Sequence, residues 1–498
     1  MSRRRLAAIV AVVGAASLGG EIAAARLLAP WFGDSTLIWA NTIATVLLAL
    51  STGYWLGGRL ADRDPSVARL SRIVLVAAGL FAVVPFVAGP FLRVSVEALD
   101  SISVGAFVGS LIAVLVLIAL PMLLLGTVAP YAVRLAVERV EEAGRVTGRL
   151  YAVSTLGSLA GVFLSALLLI PFLGTRRTFL VFALALAVVA VPALGRRFAL
   201  APLALAGLLA IPVGTVKATG DGRVVWERET PYQYARVVEE PDGERRLELN
   251  EGQAVHSVYR PGRWLTGNYW DEFLVLPLAA RGTPPRSLAI VGDAAGTMAR
   301  AYGRYFPATR VDGIEIDGEL LRLGERFFDL GPGPRLRLHA EDARPFLRHG
   351  ATRYDAIFVD AYRQPYVPFH LATREFFTLA RERLTPGGVV LVNVGHPEGS
   401  DALERALSAT MADVFATVVR DPSQDVNTVL LGTDAPASAR ALLRALPDLP
   451  GELRPVALAT AGRIEPALSG GDVWTDDRAP VEWLVDASIL EAAAQGGG

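Results

Sequence analysis

The chain of 498 residues contains no cysteine and a single lysine, Lys217. Without cysteine there is no disulfide, no thiolate zinc site and no cysteine nucleophile. The five histidines are scattered, with none of the spacing that a metal site requires. A formal net charge of −1 provides none of the field expected of a nucleic-acid-binding protein. The basic residues are almost all arginine, which reads as compositional bias rather than a phosphate-binding design.

What the chain does contain is hydrocarbon, unevenly placed. It is 52% hydrophobic, and residues 1–217 hold nearly all of the excess. Apolar runs of the length a helix needs to cross a bilayer recur near 6–29, 37–58, 72–93, 105–131, 151–173, 178–194 and 198–214. Seven spans are therefore expected, the last two short. The basic start followed by an apolar run resembles a signal peptide. Glu21 and Arg26 interrupt that run, and six more segments follow, so a first membrane helix is the better reading. Arg3, Arg4 and Arg5, then the arginines of alternate loops (59–72 and 134–149), place the N-terminus in the cytoplasm of a multi-pass cell-membrane protein. Seven spans would then put the remaining half outside, and the sequence leaves its side open. Glu21 and Arg26 are candidates for a buried pair, and the small residues of GYWLGGRLADR at 53–63 for close helix contact.

Residues 218–285 read as a small antiparallel β module, with Pro241-Asp242-Gly243 as a turn and a helix at about 266–280. Residues 286–435 alternate strands, near 287–292, 310–316, 335–340, 354–360, 387–394, 415–420 and 427–433, with helices between the first five; the last two form a hairpin. That pattern predicts a Rossmann-like α/β domain with a mainly parallel sheet. Residues 436–498 form an extension carrying TDDRAPVEWL at 475–484.

In such sheets ligands bind beyond the carboxyl ends of the strands. Four acids fall there: Asp293, Glu315, Asp342 and Asp360. Gly292 and Gly296 open the first crossover around a ligand. Glu315, 23 residues beyond Gly292, has the spacing expected for capture of ribose hydroxyls. Asp342 is placed to accept from an adenine amino group, and Asp360 faces the remaining space, where chemistry would occur. The turn is not a full G-x-G-x-x-G, which favours S-adenosyl compounds over dinucleotides. Each acid singly could instead be a helix N-cap, Asp342 and Asp293 above all.

Residues 231–435 resemble the spermidine synthases, the polyamine aminopropyltransferases. The likeness lies in PYQYARV at 231–237, LNEGQAV at 249–255, NYWDEFLVLPL at 268–278, the glycine turn, VDGIEID at 311–317, AEDARPFL at 340–347, YDAIFVDAY at 354–362 and REFFTLARERLTPGGVVLVNV at 374–394. The layout as a whole is similar to the bacterial membrane-fused members. The resemblance implies that Gln233 and Gln253 line the nucleoside and amine site, and that Tyr232 and Asp271 shape the amine pocket. It also implies that Glu315 holds the ribose, Asp342 the adenine, and that Asp360 is the catalytic base. The implied reaction transfers an aminopropyl group from decarboxylated S-adenosylmethionine, a co-substrate rather than a cofactor, to an amine such as putrescine. No metal is implied. The implied partners are this donor, a diamine or polyamine and the lipid bilayer, with no nucleic acid; a homo-oligomer is compatible.

Two departures bear on the acceptor. Arg363 stands where the soluble members have a second acid, and Ala295 occupies the place of an acid in the glycine turn; Asp293 is a candidate substitute. Two other readings stand beside this one. One is an S-adenosylmethionine-dependent methyltransferase on the same sheet. The other is a transporter or sensor whose soluble half binds nucleoside or polyamine without chemistry.

Overall fold

The computed structural model describes residues 2–32, 36–99, 105–211, 222–250, 254–331, 333–362, 366–485 and 487–488. Contacts divide the chain into two compact units, one of residues 1–218 with 227–235, the other of 219–226 with 236–498.

The first unit is helical. Helices stand at all seven expected apolar runs. Among the described residues, five are long and apolar enough to cross a membrane: Arg3–Phe32, Val67–Ser95, Val108–Ala136, Val140–Leu173 and Thr175–Ala193. The helix Thr36–Arg63 is long enough, but Asn41, Thr42, Thr45, Ser51 and Thr52 dilute its apolar character. The seventh, Leu200–Leu209, has ten residues, about 15 Å of helix against a hydrocarbon layer of about 30 Å. Small residues let backbones meet. A Cβ added at Gly157 or Gly161 would lie 2.1 Å from the carbonyl oxygen of Ala11 or Ala15, and one at Gly53 2.2 Å from that of Leu123. The contacts anticipated for the 53–63 run are thus present at Gly53 and Gly57, while Gly58 meets nothing. Arg26 donates to the carbonyl oxygen of Pro231, and among the described residues no ion pair joins it to Glu21.

A four-stranded sheet follows, in the order β1 (Arg223–Glu229), β2 (Tyr234–Glu239), β3 (Arg245–Leu249) and β4 (Val255–Tyr259). Gly243, at φ 83°, closes the turn expected at 241–243. The helix expected at about 266–280 is instead two short ones, Glu272–Val275 and Leu278–Arg281. Pro277 separates them, and residues 266–268 are held in a turn by Asp271.

The α/β sheet contains β5 (Ser287–Val291), β6 (Arg310–Glu315), β7 (Leu336–Ala340), β8 (Tyr354–Val359), β9 (Leu384–Gly395), β10 (Thr417–Gln424), β11 (Asn427–Thr433) and the two-residue β12 (Glu465–Pro466). Its order is β12-β10-β11-β9-β8-β5-β6-β7. The pairs among β5 to β9 are parallel; β9–β11, β10–β11 and β10–β12 are antiparallel. The hairpin of the last two long strands is therefore present, with β11 inserted between β10 and β9. Both faces are covered, as a parallel sheet requires. Leu288, Ile290, Phe358 and Leu391 enter one buried cluster, while Ala289, Val291, Ile357 and Val390 enter the other. The order reverses between β5 and β8, so their carboxyl ends bound the crevice where such sheets bind ligands.

Candidate active site

The two strands at the reversal end in Val291 and Val359, and the chain turns sharply after each. Gly292, at φ 83°, lies against the second turn. A Cβ there would sit 2.6 Å from both the Asp360 carbonyl oxygen and the Ala361 Cα. Only glycine lets these two turns approach so closely. Gly296, also left-handed, begins the helix Thr297–Tyr305, and a Cβ on it would run into Leu330.

Asp360 is the hub of the crevice. Its carboxylate accepts from the Trp270 indole Nε1 at 2.9 Å, the Asn393 Nδ2 at 2.8 Å and the Tyr269 hydroxyl at 3.2 Å. Burial raises its pKa to about 6, while the bonds from Trp270, Asn393 and Tyr269 hold it down. The partners are themselves fixed. Asn393 Oδ1 accepts from Asn427 Nδ2 at 2.9 Å, and the ring centroids of Tyr269 and Trp270 are 4.9 Å apart. Burial, then Asp360, push the Tyr269 phenol well above its usual value, so it donates. The result is a carboxylate aligned from three sides, with a pKa high enough to take a proton.

Glu315, at the end of β6, is 7% exposed. Oε2 accepts from the Ala294 amide at 3.1 Å and Oε1 from the Asp317 amide at 3.0 Å. These bonds tie the β5 turn to the end of β6. Burial raises the Glu315 pKa to about 7 against the pull of those amides. Asp293 is 3% exposed, and both its carboxyl oxygens lack a hydrogen-bond partner among the described residues. It lies over Gly313, where a Cβ would be 2.4 Å from Oδ2. Burial, then Glu315, push its pKa well above the ordinary range, with Asp360 adding to the effect. Three acids thus gather where the strand order reverses.

Asp342 behaves differently. Oδ1 accepts from the Arg344 amide at 2.8 Å, capping the helix Ala343–His349, and the side chain is 37% exposed. Its place at the end of β7 is as expected, and the N-cap reading also holds. Asp271 is buried with its carboxylate committed to the turn before it, accepting from the Thr266 and Gly267 amides at 2.9 and 2.8 Å. Burial raises its pKa against those bonds.

Tyr232 and Gln233 belong to the first unit. Gln233 is buried, with its backbone N–H donating to Thr230 Oγ1, while Tyr232 is 42% exposed. Gln253 and Arg363 lie outside the described residues. Ala295 is buried and donates its amide to Ser257 Oγ at 2.9 Å, so the β module holds the glycine turn through β4. Among the described residues no group of three or more histidines and acids could hold a metal.

Sequence reasoning missed Tyr269, Trp270 and Asn393 as partners of Asp360. Tyr269 and Trp270 stand directly before Asp271 in NYWDEF, and Asn393 is the lone polar residue in GGVVLVNV. A buried amide inside an apolar strand is the signal that could have found it.

Residues 273–426 match the model of the spermine/spermidine synthase domain. A probable polyamine aminopropyl transferase of Bifidobacterium longum is 32% identical over 295 residues, covering 54% of this chain and 65% of that protein. A polyamine aminopropyltransferase of Vibrio vulnificus is 30% identical over 181 residues, covering 35% of this chain and 59% of that protein. The chain thus spans less than two thirds of the length of these two relatives. A polyamine aminopropyltransferase of Mycobacterium tuberculosis is 28% identical over 429 residues, 79% of this chain and 78% of that protein. By these matches, residues 273–426 are similar to the spermine/spermidine synthase domain, and the longer stretches to polyamine aminopropyltransferases.

Proposed function

We propose that this protein is a membrane-anchored aminopropyltransferase. A neutral amine attacks the propyl carbon next to the sulfonium of decarboxylated S-adenosylmethionine. The C–S bond breaks, methylthioadenosine leaves with the electron pair, and the amine proton passes to Asp360. The sulfonium is already a good leaving group, so catalysis consists of alignment and proton removal. The observation that carries this reading is the Asp360 carboxylate, held by Trp270, Asn393 and Tyr269 at the point where the strand order reverses. Its pKa of about 6 leaves it ionised at neutral pH yet still basic. Burial holds Asp293 and Glu315 beside it toward the neutral form in the ligand-free protein, and a cationic donor would favour their ionised form. Glu315 would hold the ribose, Asp342 the adenine edge, and Gln253 and Asp271 would shape the nucleoside and amine pockets. Putrescine or another diamine would be the acceptor.

The apolar helices of the first unit would anchor the enzyme in the cell membrane, with the arginine-rich N-terminus in the cytoplasm. The test is turnover by the full chain purified in detergent, given decarboxylated S-adenosylmethionine and a panel of amines. Methylthioadenosine release with at least one amine is expected. No release with any amine, together with tighter binding of S-adenosylmethionine than of its decarboxylated form, would favour methyl transfer instead.

A further inference from the structure

The motif TDDRAPVEWL at 475–484 has no part in the chemistry above, yet the fold brings it back against the crevice-side turns of the α/β sheet. Thr475 and Arg478 exchange backbone hydrogen bonds at 3.0 Å, which makes a tight turn. The turn is seated by Trp474, 3% exposed, whose carbonyl oxygen accepts from the Arg374 amide at 2.8 Å and whose amide bonds Thr410 Oγ1 at 3.0 Å. At its tip Asp476 takes a forked guanidinium: Arg344 Nη1 reaches Oδ1 at 2.9 Å and Nη2 reaches Oδ2 at 2.5 Å. Oδ1 also accepts from Thr373 Oγ1 at 2.7 Å, and the Asp476 amide donates to Glu375 Oε2 at 2.9 Å.

Those partners are the first residues of two helices. Arg344 opens the helix that Asp342 caps, and its amide is the group bonded by Asp342 Oδ1. Thr373 caps the helix Arg374–Glu382, and its hydroxyl is fully buried. Arg344 also donates to the carbonyl oxygen of His370 at 3.1 Å, and the His370 ring lies 3.8 Å from Asp342 Oδ2. One carboxylate therefore fixes the turn after β7 and the end of the segment that follows β8. In the pair the arginine side chain is 14% exposed and the aspartate 45%, so the clamp faces solvent on the Asp476 side. A forked, charge-assisted pair is directional as well as strong.

We propose that Asp476 is a positioning residue for the donor's nucleoside end: through Arg344 and Thr373 it sets the turn that carries Asp342. The inference rests on the aminopropyltransferase reading, in which Asp342 meets the adenine. Asp476 touches no reacting atom, so its loss affects where the donor sits rather than the proton transfer at Asp360.

The experiment measures methylthioadenosine affinity by calorimetry, and kcat and KM for donor and amine, on the full chain in detergent. Asp476→Asn keeps the shape and loses the charge. It is expected to weaken methylthioadenosine binding and raise the donor KM about tenfold, with kcat and the amine KM within about twofold. Thr373→Val, which removes the bond to Asp476 and the cap on the Phe376 amide but keeps the fork, is expected to give a smaller change of the same kind, and remains readable if Asp476→Asn does not fold. Asp472→Asn, on the same stretch but 80% exposed, should change nothing. Normal nucleoside affinity and donor KM in a folded Asp476→Asn protein would overturn the proposal, as would a fall in kcat with donor KM unchanged. Wild-type protein that binds no methylthioadenosine would overturn the reading of the site itself, and the clamp's role with it. Wild-type binding with an unaffected variant would overturn the clamp alone.

Discussion

Two strand ends in the same sheet, those of β7 and β8, each finish in an acid that the sequence presents in the same way. Asp342 at the end of β7 is 37% exposed and caps a helix, a role that any N-terminal turn offers. Asp360 at the end of β8 is met by three side chains from outside its own βα unit, and burial raises its pKa to about 6. The difference arises from where each strand lies. β8 is central, flanked by β5 and β9, whereas β7 is the edge strand. A central strand end is surrounded by other crossovers, which exclude water and supply donors. An edge strand end has neighbours on one side only. Position at a strand end thus nominates an acid, and the strand's rank in the sheet decides whether that acid is buried among donors or left as an exposed cap.

This contrast can be broken most directly at Asp360. Asp360→Asn should lower kcat by roughly a thousandfold, the scale of a lost general base, with methylthioadenosine affinity within about threefold. Full activity in that variant would remove the basis for ranking the two acids. Next in size is Gly292→Ala. The added methyl would push the β5 and β8 turns apart in a left-handed conformation. A stability loss of about 2–3 kcal/mol is expected, with a roughly hundredfold fall in activity from misalignment. Denaturant titration and single-turnover rates would check both.

The donors around Asp360 sharpen the comparison by pH. The base acts when ionised, so kcat/KM should rise with pH through a limb near 6 and then level off. Asn393→Ala removes a bond that favours the ionised form, so the limb should move upward by on the order of one pH unit. A limb that stays in place would mean that Asn393 does not tune the base. A related effect concerns stability. Glu315 is held near 7 in the folded protein, above its unfolded value, so the native state binds more protons between those values. Stability of the ligand-free protein should therefore fall as pH rises from about 5 to about 7. Glu315→Gln should flatten part of that slope in a thermal-shift series. The smallest effect is expected at Asp342. Asp342→Ala should cost about 1 kcal/mol as a lost cap and raise the donor KM, with kcat little changed. A loss of kcat as large as that of Asp360→Asn would erase the distinction between edge and centre.

Much of this arrangement was legible in the chain. The seven long strands of the sheet fall where apolar runs and turn residues put them, because the buried face of a strand must be apolar and its ends must turn. The strand-end positions of Gly292, Glu315 and Asp360 were legible from their offsets to those strands. The helix expected at about 266–280 was not, because Asp271 holds the preceding turn and Pro277 interrupts the run, and that interruption separates what periodicity would join. The apolar run at 198–214 was legible as hydrocarbon, yet its helix is ten residues long. Tyr269, Trp270 and Asn393 escaped notice because they lie 91, 90 and 33 residues from Asp360. Asp476 lies 132 residues from Arg344. No local pattern marks two side chains as partners over such distances.

By itself, then, the sequence determined that a hydrocarbon-rich half precedes a Rossmann-like α/β sheet with acids at four strand ends, since periodicity, turn chemistry and apolar run length act locally. Only the tertiary structure decided which acid is buried, which is a cap, and which donors aim at Asp360. Desolvation and hydrogen bonding depend on what other parts of the chain bring to the same few cubic ångströms, and that is a property of the folded sheet order rather than of any one segment.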